Sequence, residues 1–198
     1  GYFCKRRRST RQPKGLKDTL GTAVNGLRSG GVVACPTEAV WGLSCDPEDR
    51  TAVASLLELK GRPEEKGLIL VAGAPTQFKA LLEDISECQK TLLSESWPGP
   101  ITWLVPHQGR VPSWITGDHD KVALRVTDHP VMSTLCAAWG APLVSSSANP
   151  AGLEPARTFE QVEFYFDSGL SAIVPGEIGG RPSPSQIIDL DTGAVIRA

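Results

Sequence analysis

The organisation of this chain is clearest around one charged segment, Leu59-Lys60-Gly61-Arg62-Pro63-Glu64-Glu65-Lys66-Gly67. Before it, residues 52–59 place apolar side chains at helical spacing, and after it residues 68–72 form an unbroken apolar run. This pattern predicts a helix, a short loop and a buried strand. Gly61 and Pro63 mark the loop, because glycine accepts many φ values and proline ends a preceding helix.

Three cations leave this predicted loop: Lys60, Arg62 and Lys66. A guanidinium binds phosphate or carboxylate through two donors and an ammonium adds a point charge, so the cluster suits a polyanion. We expect Lys60 and Arg62 to be exposed, so that alanine at either position impairs activity and spares stability. The alternative is a solvated loop whose cations pair with Glu64 and Glu65. The loop taken alone favours this alternative, because charged turns are common.

Composition indicates a globular protein of one domain. The chain has 198 residues, of which 40% are hydrophobic and 21% charged, which is enough to bury a substantial core. Sixteen prolines and twenty glycines favour many tight loops over a helical bundle. We find no apolar run long enough to cross a bilayer and no apolar core of a signal peptide, so we expect no membrane partner.

Cysteine and histidine usage bears on the compartment and on metals. The five cysteines form no CxxC pair, and their odd number argues against a disulfide framework. A reducing, cytoplasmic compartment fits this usage. None of the three histidines has the spacing of a zinc site, so we expect no structural metal.

Charge is distributed unevenly along the chain. Residues 1–17 hold seven lysines and arginines and no acid, whereas the remaining residues hold 13 bases and 22 acids. A basic arm of this kind could contact RNA phosphates, but its near lack of apolar side chains favours a flexible leader. We therefore predict a flexible basic extension over residues 1–15 and one domain over residues 16–198.

Periodicity predicts both helices and strands. Helices are expected over residues 16–28, from the N-cap Asp49 into the basic loop, from Thr76, and over residues 86–94, 131–139 and 158–166, the last with a Thr158–Gln161 capping box. Strands are expected over residues 32–35, 68–72, 101–105, 122–126 and 172–174, with a terminal hairpin of residues 186–190 and 194–197. Residues 36–43 are expected to pass from strand to loop, and residues 107–121 to form a loop anchored by Trp114 and Ile115. Helices and strands mix without strict alternation, which predicts an α/β (α+β) single domain with a twisted mixed β-sheet flanked by helices.

Known nucleotide and hydrolase signatures are missing. The chain has no GxxxxGK[ST] phosphate loop, no complete GxGxxG and no GxSxG elbow. What remains, besides the basic loop, is a set of polar groups at predicted strand ends: Thr37, Arg125, Ser145, Ser147, Asn149 and Ser185. Cations with neutral hydrogen-bonding groups suit a site that binds and aligns anions. Each has a structural alternative: Arg125 could form a salt bridge, and the serines and Asn149 could belong to a tight turn.

Several of these motifs occur together, and in the same order, in one known family. They are Pro36-Thr37-Glu38-Ala39-Val40-Trp41-Gly42-Leu43, Lys60-Gly61-Arg62-Pro63, Pro98-Gly99-Pro100-Ile101-Thr102, Leu124-Arg125-Val126 with His129-Pro130, and Ser147-Ala148-Asn149. From about residue 16 to residue 197, the chain resembles the YrdC/Sua5 family, in its short bacterial type. The resemblance implies a YrdC-like catalytic domain.

The resemblance also implies an activity. L-Threonine, bicarbonate and ATP would give L-threonylcarbamoyladenylate and pyrophosphate, a nucleotidyltransferase reaction, with Mg²⁺ carried in by ATP. Partner proteins would then transfer the threonylcarbamoyl group to the tRNA adenosine beside the anticodon. By position, Lys60 and Arg62 would be catalytic, and ATP would bind Lys60, Arg62, Ser147, Asn149 and Arg197. Threonine or its carboxylated form would bind Thr37, Arg125, Ser145 and Ser185.

Three positions depart from the family pattern. Gly67 stands where many members have proline, Val71 where longer relatives often have histidine, and Gln186 replaces a common threonine after Ser185. Two other functions stay open. One is an RNA-binding or ribosome-maturation factor that uses a basic cleft. The other is adenylation of carbamoyl phosphate, as in hydrogenase-maturation carbamoyltransferases, although the zinc-finger-like cysteine pairs of those proteins are absent here.

Overall fold

The computed structural model describes the backbone of residues 16–197 and the side chains of residues 19–197. The predicted basic extension, residues 1–15, lies outside this part of the chain. Six α-helices are described: α1 (Leu16–Arg28), α2 (Arg50–Lys60), α3 (Glu87–Ser96), α4 (Ser113–Thr116), α5 (Pro130–Trp139) and α6 (Phe159–Phe166). Two 3₁₀ helices cover Glu64–Lys66 and Pro75–Leu82. Within residues 16–197, no helix has both the length and the apolar character to cross a membrane.

The described strands form one nine-stranded mixed sheet. They are β1 (Val33–Pro36), β2 (Trp41–Ser44), β3 (Ile69–Ala72), β4 (Ile101–Pro106), β5 (Lys121–Val126), β6 (Leu143–Ser147), β7 (Ala172–Ile173), β8 (Gln186–Asp189) and β9 (Val195–Arg197). Their order is β7-β1-β2-β6-β3-β5-β4-β8-β9. The pairs β1–β7, β3–β5 and β4–β8 are parallel, and the remaining pairs are antiparallel. This architecture confirms the predicted mixed sheet with flanking helices.

Hydrophobic side chains pack on both faces of the sheet. The larger core includes Trp41, Leu56 and Leu124. The smaller core includes Val71, Met132 and other side chains of α1, α5 and the strands beside them. The sheet is therefore packed between two layers of apolar side chains.

Strand register places polar groups next to the smaller core. In β6, Leu143 is buried in that core, and because side chains alternate along a strand, Ser145 and Ser147 lie on the same face. Arg125 pairs across β5–β3 with Val71, and Ser145 pairs across β6–β3 with Ile69. The apolar face of the sheet thus becomes polar toward these strand ends.

Most predicted elements are confirmed, with local differences. The helix predicted from Thr76 is the 3₁₀ helix Pro75–Leu82, in which Gln77 bonds to Gly73 N and Cys136 O, so tertiary contacts hold this segment. The predicted loop of residues 107–121 contains α4, and Ile115 is buried as expected. Residues 41–44 form a full strand rather than a passage into a loop.

The caps of two helices were predicted from side-chain spacing. Asp49 caps α2, since its carboxylate accepts from Ala52 N at 3.1 Å. Thr158 caps α6 by accepting from Gln161 N, but Gln161 Oε1 accepts from Arg157 N rather than from Thr158 N. The second half of the predicted Thr158–Gln161 capping box is therefore wrong.

Candidate active site

Residues of strand ends and loops line a cavity of about 190 Å³. Its polar and charged lining consists of Thr37, Glu38, Arg62, Arg125, Ser145, Ser146, Ser147, Arg181, Ser183, Ser185 and Arg197. Seven of the nine predicted site residues are in this lining. Lys60 and Asn149 are not.

Lys60 is buried behind the wall of the cavity. It is the last residue of α2 and only 5% exposed, so the expectation of an exposed loop residue is wrong. Its ammonium donates to the backbone O of Ser147, to Ser147 Oγ at 3.3 Å and to Asn149 Oδ1 at 3.4 Å. Lys60 and Asn149 therefore support Ser147, which faces the cavity.

The backbone around Gly61 explains why Lys60 is buried. Gly61 caps α2 with φ of 63°, a left-handed conformation that suits glycine, so the helix continues through Lys60. The backbone N of Ala151 then donates to Lys60 O at 2.7 Å, which packs the segment after β6 onto the end of α2. Burial, together with the nearby charge of Arg62, lowers the pKa of Lys60 to about 8.

Arg62 is half-buried rather than exposed as expected, and it lines the cavity. Its Nη2 donates to Gly67 O at 3.0 Å, whereas its buried Nε has no hydrogen-bond partner. Burial lowers the pKa of the guanidinium. None of the ion pairs within the described part of the chain joins Lys60, Arg62 or Lys66 to Glu64 or Glu65. The solvated-loop alternative therefore does not account for the buried Lys60 and the half-buried Arg62, whereas Lys66 is exposed.

Arg125 forms a buried ion pair with Glu38. Arg125 Nη1 donates to Glu38 Oε2 at 2.6 Å, and Arg125 Nη2 donates to Ser145 Oγ at 3.3 Å. The salt-bridge alternative for Arg125 is therefore correct, yet the residue also lines the cavity. Sequence reasoning did not place Glu38 in the site. Its position directly after Thr37, in an otherwise apolar stretch, was the available signal.

Arg197 connects the last described strand to Ser185. Its Nε and Nη2 donate to Ser185 O at 3.1 and 2.7 Å, and Nη2 also lies 3.3 Å from Ser185 Oγ. The hydroxyls of Ser185 and Thr102 are 2.6 Å apart. Burial lowers the pKa of Arg197, and the charges of Arg125 and Arg62 lower it further. Arg197 is thus close enough to Arg125 and to Arg62 to be repelled by both, and a bound anion would relieve that repulsion.

A second cavity of about 600 Å³ adjoins the first. The two share Arg62, Leu68, Ile69 and Arg197, so they are neighbouring parts of one cleft. The second cavity combines cations with apolar side chains, including Val122 and Ile196. This lining suits a ligand that carries both charge and a flat apolar surface.

A family model of the Sua5, YciO and YrdC proteins, described as "Telomere recombination", matches residues 25–198. The chain belongs to the Sua5/YciO/YrdC family. This match confirms the resemblance to the YrdC/Sua5 family that the sequence motifs indicated.

Curated relatives in the family extend over nearly the whole chain. The threonylcarbamoyl-AMP synthase of Stutzerimonas stutzeri (strain A1501) is 60% identical over 171 residues, covering 86% of this chain and 92% of the relative. That of Cellvibrio japonicus (strain Ueda107) is 52% identical over 182 residues, covering 92% of this chain and 96% of the relative.

A solved structure in the family shares the fold. The crystal structure of Sua5 from P. abyssi complexed with L-threonine has a TM-score of 0.83 and 31% identity. The match covers 93% of this chain and 54% of the P. abyssi chain, so this chain spans about half the length of that protein.

Two departures from the Sua5/YciO/YrdC pattern have structural explanations. Gly67 has φ of 72°, which proline cannot adopt, so the turn after the basic loop is built differently from one that contains proline. Val71 is fully buried in the smaller core, where a histidine side chain would be a poor substitute. The third departure, Gln186, pairs with Ile101 at the start of β8, directly after Ser185.

Proposed function

We propose that this protein is a threonylcarbamoyl-AMP synthase, which converts L-threonine, bicarbonate and ATP into L-threonylcarbamoyladenylate and pyrophosphate. Relatives that carry this name are 52–60% identical over most of their length. The structural observation that carries the proposal is the convergence of Arg62, Arg125 and Arg197 on one cavity. A site of this charge suits a reaction whose substrates are anions.

The chemistry explains why such a site is needed. The threonine amine attacks bicarbonate to give an N-carboxylate with loss of water, and a carboxylate oxygen then attacks the α-phosphorus of ATP, displacing pyrophosphate. Both steps bring anions together, so repulsion and lost translational entropy dominate the barrier in water. Fixed cations and a preorganised cavity reduce both contributions.

The smaller cavity is proposed as the threonine end of the cleft. Thr37, Arg125, Ser145 and Ser185 line it, and they offer one guanidinium and three hydroxyls. A guanidinium matches a carboxylate through two donors, and hydroxyls can donate or accept toward the threonine hydroxyl and amine. These properties fit a small polar amino acid better than an apolar one.

The nucleotide is proposed to lie where the two cavities meet. Arg62 and Arg197 line both cavities and would contact the phosphates, with Ser147 beside them. Lys60 and Asn149 would act from behind, because their hydrogen bonds hold Ser147. The adenosine would occupy the larger cavity, whose wall is partly apolar.

Mg²⁺ is proposed to enter as part of the Mg-ATP substrate. In the part of the chain that the structure describes, no group of three or more His, Cys, Asp and Glu side chains is placed to hold a metal ion. Glu38, an acid that lines the smaller cavity, has both carboxylate oxygens in hydrogen bonds. Phosphate oxygens, by contrast, are ligands that Mg²⁺ prefers.

The cellular context is proposed from the reaction and from cysteine usage. Downstream proteins would transfer the threonylcarbamoyl group to tRNA, as the adenylate is an activated donor. Cys35, Cys45, Cys88 and Cys136 are free thiols, which fits a reducing cytoplasm. Residues 16–198 would be the catalytic domain. The RNA-binding alternative would use the same basic cleft, and the bases of residues 1–15 would suit it; the role of that extension is left open.

The product tests this proposal directly. The protein is incubated with Mg-ATP, L-threonine and bicarbonate labelled with heavy carbon, and nucleotides are analysed by mass spectrometry. We expect a new adenylate that contains threonine and the labelled carbon. Tight binding of RNA with no such product would favour the RNA-binding alternative instead.

A further inference from the structure

Glu38 is the only acid among the described residues that line the smaller cavity. A carboxylate in a site for anionic substrates opposes their binding, because like charges repel strongly where water is excluded. The residue is 8% exposed, so solvent does little to weaken this repulsion. Its presence therefore needs a reason other than contact with the substrates.

The carboxylate of Glu38 is held on both oxygens. Oε2 accepts from Arg125 Nη1 at 2.6 Å, and Oε1 accepts from Thr127 Oγ1 at 2.5 Å and from Asp128 N at 3.3 Å. Burial by itself would raise the pKa of Glu38, but the charge of Arg125 and the hydrogen bond from Thr127 outweigh burial and hold the pKa below its usual value. Glu38 is thus ionised, neutralised by its neighbours and unable to take up a proton readily.

The backbone of Glu38 is fixed as well. Its carbonyl accepts from Arg181 N at 3.2 Å, and the neighbouring Thr37 O accepts from Gly179 N at 2.9 Å. Gly179 passes so close that an added Cβ would lie 2.6 Å from Glu38 O. The segment that carries Glu38 therefore cannot shift without moving the loop that covers it.

The contacts of Glu38 determine how Arg125 is oriented. Glu38 holds Nη1 and Ser145 holds Nη2, and these are the two hydrogen bonds that the guanidinium makes to described residues. Two anchors on different nitrogens fix the plane of the group. A guanidinium has five donors, so others stay available to a ligand. Without Glu38, the flexible side chain of Arg125 would lose this preorganisation.

We propose that Glu38 is a positioning residue: it sets the orientation of the Arg125 guanidinium that receives the carboxylate of the amino-acid substrate. The proposal rests on the proposed function, because it assigns Arg125 to threonine. It predicts that Glu38 affects threonine and not ATP, and that it does so only through Arg125.

The test measures dissociation constants of L-threonine and of ATP by calorimetry, which does not depend on turnover. In Glu38→Gln, which removes the charge at nearly constant size, we expect the threonine constant to rise about tenfold or more and the ATP constant to stay within about twofold. Asp84→Asn is the matched control, since it removes one carboxylate from the exposed Arg110–Asp84 pair away from the cleft, and it should change neither constant.

A double-mutant cycle separates positioning from general structural support. In an Arg125→Met background, Glu38→Gln should change the threonine constant by less than about twofold, because the residue through which Glu38 acts is gone. If Glu38→Gln instead leaves threonine binding unchanged, weakens ATP and threonine equally, or has its full effect without Arg125, the proposal is overturned.

Removing one partner of a buried ion pair is strongly destabilising, so Glu38→Gln could fail to fold. Thr127→Val offers a second route, because it keeps both charges and removes one hydrogen bond of Glu38, together with the one that His129 N donates to Thr127 Oγ1. We expect it to weaken threonine binding about threefold with ATP binding unchanged, and equal effects would again overturn the proposal. A wild-type protein that binds threonine but releases no pyrophosphate would contradict the proposed function alone.

Discussion

Arg62 is a predicted site residue that should matter for activity and not for stability. Its buried Nε lacks a partner, and an unsatisfied buried donor costs about 1–3 kcal/mol. In Arg62→Ala we therefore expect unfolding free energy to stay the same or rise slightly, while pyrophosphate release falls by about 100-fold or more. Chemical denaturation and turnover of the same preparation check both halves. A variant that unfolds easily, or one with normal turnover, would contradict this role for Arg62.

Lys60 leads to a prediction about pH. Its pKa is lowered from 10.5 to about 8 in the folded protein, so between these values the unfolded chain binds more protons than the folded one. Stability from this group therefore rises as pH increases from about 8 toward 10.5. Over the same range ATP binding should weaken, because Lys60 loses its charge behind Ser147.

If Lys60 titrates as described, stability should rise and ATP affinity should fall as pH increases from about 8 toward 10.5. They are measured by denaturation and by calorimetry at several pH values. Lys60→Met is the control, since methionine has a similar length and does not titrate, and both trends should shrink in it. Identical pH profiles in wild type and Lys60→Met would show that the trends come from other groups.

At the scale of elements, the loop of residues 176–185 holds the segment Thr37–Glu38 in place. Gly179→Ala would put a Cβ 2.6 Å from Glu38 O, whereas an added Cβ at Gly180 would meet no heavy atom within 4 Å. We expect Gly179→Ala to reduce turnover by about tenfold or more, through displacement of Glu38 and Ser185, and Gly180→Ala to retain it. Steady-state kinetics of the two variants side by side decide this. Equal activity would mean that the loop does not hold the site.

The N-terminus of helix α2 is stabilised by a capping residue, Asp49. Asp49 accepts from Ala52 N, so Asp49→Ala should lower the free energy of unfolding by about 1 kcal/mol, as for other N-caps. Thermal or chemical denaturation measures the change, and Glu48→Ala, next to the cap, is a suitable comparison. A loss no larger than that of the comparison would mean that the cap contributes little.

The helices and strands also show how much of the site could be predicted from the sequence. Ser145 and Ser147 were singled out from the sequence as polar groups, but β6 was not among the predicted strands. Only the structure places both serines on the same face as the buried Leu143. The burial of Lys60 was not predictable either, because it depends on a left-handed Gly61 and on a segment almost 90 positions away, residues 147–151. The role of Glu38 was not predicted for the same reason. Its partners are distant in sequence: Arg125 lies in β5, and Thr127 directly follows that strand.

At the scale of the whole molecule, the fold concentrates positive charge in an otherwise acidic body. The residues after position 17 hold 13 bases and 22 acids, yet Arg62, Arg125, Arg181 and Arg197 all line the smaller cavity. Mixed parallel and antiparallel pairing makes this possible, because strands from distant parts of the chain end beside one another. Bulk composition could not have predicted this local concentration, since it depends on strand order.

Pyrophosphate release from Mg-ATP is the measurement that tests the central claim most directly. L-Threonine and bicarbonate are omitted one at a time, and pyrophosphate is followed with a coupled assay. We expect release only when both are present, because the attacking group is the carboxylate that they form together. Release that continues without either substrate, or no release with both, would contradict a synthase and leave a cleft that binds nucleotides for another purpose.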